Sequence, residues 1–168
     1  FPDRTIECVP IELSPQKRKL VDEYRNSLPD DLGSHTKERV ELERLRVPPM
    51  AEIAHDTLAD GAKVLAFFNY TDPLLEFAQA TNCPVIHGET SDEDRQKIRV
   101  PVVSLVSPPY TPITLIQEIG RTHRHGGVSP ANIKIIFVNG TMESERILPK
   151  VAARKHNIET LTTKDLNG

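Results

Sequence analysis

Along this chain the spacing of apolar positions switches repeatedly between a period near two and one near 3.6, which predicts strands alternating with helices. Thr5 to Leu13 alternates loosely enough for a strand, and Pro10, which cannot donate to a ladder, moves it to a sheet edge or a bulge. Ser14 then caps a helix with Pro15 at its first position and Leu20, Val21 and Tyr24 on its apolar side. Leu28 to Ser34 is turn chemistry and predicts a loop or linker. Thr36 to Arg46 is heavily charged with Val40, Leu42 and Leu45 apolar, the pattern of a surface helix that Val47-Pro48-Pro49 ends. Met50, Ile53, Ala54, Thr57 and Leu58 follow a helical period from Pro49 until Asp60-Gly61 supplies a left-handed stop.

The second half repeats the alternation. Lys63 to Tyr70 is a continuous apolar run, as in a strand covered on both faces of a parallel sheet. Thr71-Asp72-Pro73 opens a helix carrying Leu74, Leu75, Phe77 and Ala78. Pro84-Val85-Ile86 makes a short strand, His87-Gly88-Glu89 a loop, and Thr90-x-x-Glu93 a capping box for a helix to about Ile98. Val102 to Val106 is a buried strand, Thr111-Pro112 opens another helix, and Asn132 to Val138 is the last apolar strand. Glu143 to His156 is helical in pattern with Pro149 set to kink or end it, and a polar tail follows from Leu161. Strands and helices alternating at these lengths predict an α/β fold, a mostly parallel sheet with helices on both faces.

Composition narrows the classes. A chain of 168 residues, 38% hydrophobic and 27% charged, suits one compact soluble domain with an attached segment. A net charge of −3 and a pI near 6.1 exclude a uniformly basic coat, so any polyanion must meet a local patch. No apolar run reaches the roughly 20 residues of a membrane span and no signal-peptide pattern opens the chain, so no membrane partner is expected and the setting is intracellular, not secreted. Phe1-Pro2-Asp3-Arg4 reads as the start of a fragment. Cys8 and Cys83, far apart and in no metal spacing, read as two reduced core thiols.

The chemistry concentrates in Gln117-Glu118-Ile119-Gly120-Arg121-Thr122-His123-Arg124. On a helix Arg121 and Arg124 project from one face and can reach one anion, each guanidinium matching phosphate oxygens two at a time. A solvated basic helix end is the other reading of two such arginines. Elsewhere the chain has no Gly-x-x-x-x-Gly-Lys-Ser/Thr phosphate cradle. Asp92-Glu93-Asp94 opens a helix instead of ending a buried strand, which does not suit a nucleotide metal site. His123 and His125 stand between arginines, so no metal site is expected, and no hydrolase elbow or zinc motif occurs. Arg146, Lys150 and Arg154 recur every four residues, as on a solvated face or a basic stripe. Ligands of open parallel sheets bind at the carboxyl ends of strands, which directs attention to the loops after Tyr70, Ile86, Val106 and Val138.

Gln-x-x-Gly-Arg-x-x-Arg resembles motif VI of the superfamily-two helicases and translocases, and Gly-Arg-x-His-Arg its variant in the SWI/SNF-like, viral and phage branches. Val9 to Arg18 is similar to the segment leading from the first lobe to the second. Lys63 to Thr71-Asp72 resembles the motif IV strand, and Val85-Ile86-His87-Gly88 with Ser91-x-x-x-Arg95 the strand, loop and helix after it. The resemblance implies a RecA-like second lobe at residues 47–148, with lobe-connecting elements at 1–46 and an extension at 149–168. It implies that a first lobe of the same polypeptide holds most of ATP and Mg2+. Arg121 and Arg124, beside Gly120, would reach the phosphates as arginine fingers, with Gln117 lining the interface. Asn69, Thr71, His87 and Gly88 would contact a nucleic-acid backbone, DNA more than RNA because Gln117 resembles the DNA-translocating branch. The family's motif V has no counterpart between Ile98 and Val106: either a loop is left out of the sequence there, as the intact flanking motifs favour, or the chain is naturally shortened, which leaves a catalytically silent RecA-like module binding a protein or nucleic acid as the alternative.

Overall fold

A computed structural model describes residues 4–85, 102–109, 111, 113–115, 117–118, 131–150 and 152–153. Its elements are β1 (Arg4–Ile11), α1 (Pro15–Ser27), α2 (Leu32–Ala59), β2 (Lys63–Phe67), α3 (Thr71–Thr81), β3 (Val102–Val106), β4 (Ala131–Val138) and a π-helical turn, Glu143–Ile147. The four described strands form one sheet in the order β1-β4-β3-β2, every pair parallel. β1 is outermost of the described strands, where the missing N–H of Pro10 is tolerated.

Side-chain alternation sends the strands' apolar residues to both faces of the sheet. Ile136 and Leu105 join Val47, Met50, Ala51 and Ala54 of α2 and Phe77 of α3 on one face. Ile133, Ile135 and Val106 meet Leu115 on the other, from the helical segment after β3. Both faces are therefore covered, as the α/β reading expects of a RecA-like lobe. No helix among the described residues is long and apolar enough to cross a membrane.

Local signals account for the boundaries. Ser14 Oγ accepts from Lys17 N at 3.3 Å to start α1, and Gly61 at φ +80 follows the end of α2. Asp31 Oδ1 accepts from Ser34 N at 2.7 Å, so the expected loop shortens to Leu28–Asp31. That bond to a backbone N–H holds the Asp31 carboxyl below its ordinary range. The depressed pKa means that the cap stabilises the helix above the ordinary carboxylate range and is lost as pH falls through the lowered value. Asp31→Asn keeps a capping oxygen that does not titrate. Thermal melts between pH 6 and pH 3, as rough bounds of that range, should therefore show a shallower acid decline for the variant. A parallel decline would mean that the cap plays no part in acid sensitivity.

Several expectations need correction. Pro48 and Pro49 do not end a helix; α2 runs through both for 28 residues. Each interior proline costs about 3 kcal/mol. Side chains such as Leu42, Val47 and Met50 on either side are buried and contribute ~1.5–3 kcal/mol apiece, which offsets that cost. Nor is Thr36 to Arg46 a surface helix, because Glu38, Leu42, Glu43 and Arg46 are all buried. β2, outermost of the described strands, is half-buried instead of fully covered. Pro84 and Val85 join no strand. Cys8 is exposed on β1 and only Cys83 packs against the core, both as free thiols. Helical backbone continues through Pro149 to Lys150, preceded by the π turn, whose wider loop changes which carbonyl faces the proline ring.

Candidate functional site

The strands of a parallel sheet all end on one edge, so the segments after Phe67, Val106 and Val138 gather there. Three charged side chains brace that edge from behind. Glu43 of α2 accepts from Asn69 N and Asn69 Nδ2 with one oxygen and from Tyr70 N with the other, each at 2.9 Å. Arg46, one turn on, donates to Glu43 Oε1 at 3.5 Å and to Glu143 Oε1. Glu143 Oε2 in turn accepts from Val138 N at 3.0 Å. All three side chains are at most 2% exposed. One helix thus fixes the ends of β2 and β4 together, by the hydrogen bonds that make a buried charge tolerable.

Around this brace the loops are closely built. Asn69 Nδ2 also reaches Pro108 O after β3, at 3.4 Å, and Ser107 N donates to Phe67 O at 3.2 Å. After β4, Asn139 N bonds to Ile11 O at 3.0 Å, and Asn139 Nδ2 bonds to Glu12 Oε1 at 2.6 Å. Gly140 N donates to Asn139 Oδ1 and Ser144 Oγ, both at 3.0 Å. Arg18 of α1 donates to Asn139 O at 2.7 Å and Gly140 O at 3.2 Å. Gly140 has φ +69, and a Cβ there would stand 2.5 Å from Arg18 Nη1. Gly140→Ala therefore meets a left-handed penalty of ~1–2 kcal/mol and also pushes the Arg18 clasp away. Urea titration should show a loss of at least about 1 kcal/mol. An unchanged midpoint would mean that the loop has another conformation open to it.

Of the residues singled out from sequence, Asn69 lies just past the end of β2 with its side-chain N–H groups turned inward to Glu43 and Pro108. Thr71 is exposed at the first position of α3. Between them Tyr70 lies under Arg39, whose guanidinium carbon is 5.6 Å from the ring centroid. Burial pushes the Tyr70 phenol above its ordinary range, and the Arg39 charge opposes that shift. Gln117 is exposed on the helical segment that Thr111 caps, Thr114 N donating to Thr111 Oγ1 at 3.4 Å. Gly120, Arg121 and Arg124, with His87 and Gly88, lie outside the described residues, as do the Thr90 capping box and residues 98–101. No group of three or more His, Cys, Asp or Glu side chains among the described residues is placed to hold a metal.

Sequence reading missed the brace. Glu43, Arg46 and Met50 fall at i, i+3 and i+7, so two charges occupy positions of an apolar stripe. That misfit was a usable signal, although the partner Glu143 is 97 residues from Arg46.

No protein-family model matches the chain. It is 22% identical over 188 residues to a protein of Acanthamoeba polyphaga mimivirus that bears the provisional name of an ATP-dependent RNA helicase. The match takes in 94% of this chain, which spans 35% of the relative's length. Since 94% of 168 residues is about 158, the 188 aligned positions include about 30 with no counterpart here. The likeness is helicase-related and extends along nearly the whole chain.

Proposed function

We propose that the chain is the second lobe of a nucleic-acid-dependent ATPase of helicase or translocase type, working with a first lobe that holds ATP and Mg2+. The observation that carries this reading is the pairing of a four-stranded parallel sheet with Gln117-x-x-Gly-Arg-x-x-Arg on the connection from β3 to β4. The mimivirus protein's likeness supports it. So does the way the edge loops spend their amides. Asn69 N, Tyr70 N, Val138 N and Gly140 N all donate within the chain, which suits a lobe that lends side chains to a nucleotide and does not cradle its phosphates.

Arg121 and Arg124 would then place guanidinium groups against the γ-phosphate across an interlobe cleft, where fixed positive charge stabilises the charge that builds during hydrolysis. ATP with Mg2+ supplies the reacting phosphoryl group. Gly120 lets the backbone come close beside the fingers, and Gln117, exposed on the same connection, lines the interface. Asn69 and Thr71, with His87 and Gly88, would lie along the nucleic-acid backbone. Asn69 has its main-chain N–H and its side-chain amide hydrogens engaged by Glu43 and Pro108, so contact with phosphate would fall to Thr71, His87 and Gly88. DNA is the polymer inferred from Gln117 and the Gly-Arg-x-His-Arg form, whereas the relative's name specifies RNA. Stimulation of ATP hydrolysis by duplex DNA and by RNA, measured after joining the chain to its first lobe, tests the reading. Hydrolysis that neither polymer stimulates would overturn it.

A second reading has its own support. The relative's roughly 30 extra positions fit a lobe shortened relative to an active one. A silent module of this kind would bind its partner but leave ATP turnover unchanged.

A further inference from the structure

A groove of about 250 Å³ runs between the first turns of α2 and the helical segment after β4. Met142 and Ile147 are buried in its floor, and Leu32 stands at its mouth with 84% of its surface exposed. Arg39, Arg146 and Lys150 line it. Arg146 and Lys150 join no ion pair among the described residues. Among the described residues no carboxylate is in its lining, and of those nearby Glu38 meets Arg25 at 3.7 Å and Asp30 meets His35 at 3.1 Å. The groove is thus locally cationic on a chain whose net charge is −3. Its walls are fixed relative to each other, because the buried Arg46–Glu143 pair ties α2 to the turn that carries Arg146.

We propose that this groove binds an acidic amphipathic segment of a partner protein. One or two leucine-sized side chains would fill the apolar floor while flanking carboxylates meet Arg146 and Lys150. Leu32 decides against a nucleic-acid backbone, which would use the cations but leave this exposed apolar side chain wet. Charge complementarity fixes the sign of the partner, since a basic segment would be repelled by Arg146 and Lys150 and would meet no carboxylate among the described residues of the lining. The proposal is independent of the ATPase reading.

The test uses the 168-residue chain and a fluorescent synthetic helix-forming peptide with leucines at i, i+3 and i+7 and glutamates elsewhere. Its controls are a scrambled peptide of the same composition and a single-stranded oligonucleotide. Saturable binding to the patterned peptide is expected, weakened about tenfold by Arg146→Glu with Lys150→Glu and by raising salt. Leu32→Ser, at an exposed position that does not threaten the fold, should weaken it independently, with the charge pattern untouched. The proposal fails if the scrambled peptide binds as well, if Leu32→Ser changes nothing, if no saturable binding occurs, or if the oligonucleotide displaces the peptide stoichiometrically. Thermal melts of both variants keep a folding defect from being read as lost binding.

Discussion

Replacing Arg46 with methionine destabilises the fold by about 3–5 kcal/mol, the range for breaking a buried ion pair from one side. Two carboxylates share this one guanidinium, so its removal leaves Glu43 and Glu143 charged and enclosed with only neutral N–H donors. Methionine fills much of the volume, which confines the loss to electrostatics instead of a cavity. Glu143→Gln, added to Arg46→Met, should recover part of the deficit, because it removes one stranded charge and keeps an acceptor for Val138 N. Glu43→Gln is costlier than Glu143→Gln, since Glu43 serves three donors on Asn69 and Tyr70 besides Arg46. Urea denaturation with a constant slope measures each variant. If Arg46→Met lost less than about 1 kcal/mol, the cost of an exposed pair, the side chains would not form an enclosed charged unit.

Loss of either proposed finger has the other large effect. With this chain joined to its first lobe, Arg121→Ala or Arg124→Ala should lower nucleic-acid-stimulated kcat by about 10³-fold or more. KM for ATP should move far less, because the contact is strongest in the transition state. Arg121→Lys should rescue little, since an ammonium cannot present the planar pair of donors. Steady-state turnover against ATP concentration separates the two parameters. Unchanged kcat in both alanine variants would leave the silent-module reading as the better one.

How much of this could be read beforehand differs from element to element, for physical reasons. β1, α1, α3, β3 and β4 were legible because their signals are local: an apolar run, a capping serine before a proline, an alternating burial. The passage of α2 through Pro48-Pro49 was not. A proline's cost is written at its own position, whereas the compensating burial of Leu42, Met50 and Ala54 depends on strands far along the chain. The brace was hidden for the same reason. A Glu and an Arg three apart on a helix look solvated until Glu143 and the ends of β2 and β4 close over them. The strand was expected to reach Tyr70 and ends at Phe67, which leaves Asn69 in the loop before α3, and the inward use of its amide required the position of Glu43. Gln117 and its helical segment were legible from Thr111 and the apolar period that follows it.

The unbroken α2 is about 42 Å long at 1.5 Å per residue. Yet Pro48 and Pro49 deprive the carbonyls of Arg44 and Leu45 of their usual amides, so two consecutive rungs are absent just past Arg46. Bending there meets resistance from side chains more than from the backbone. The helix is therefore better pictured as two stiff rods spliced at a compliant joint, one rod bordering the cationic groove and the other seated on the sheet. A load applied to the first would turn about Arg46 and pull on the ends of β2 and β4 before it reached the rest of the core.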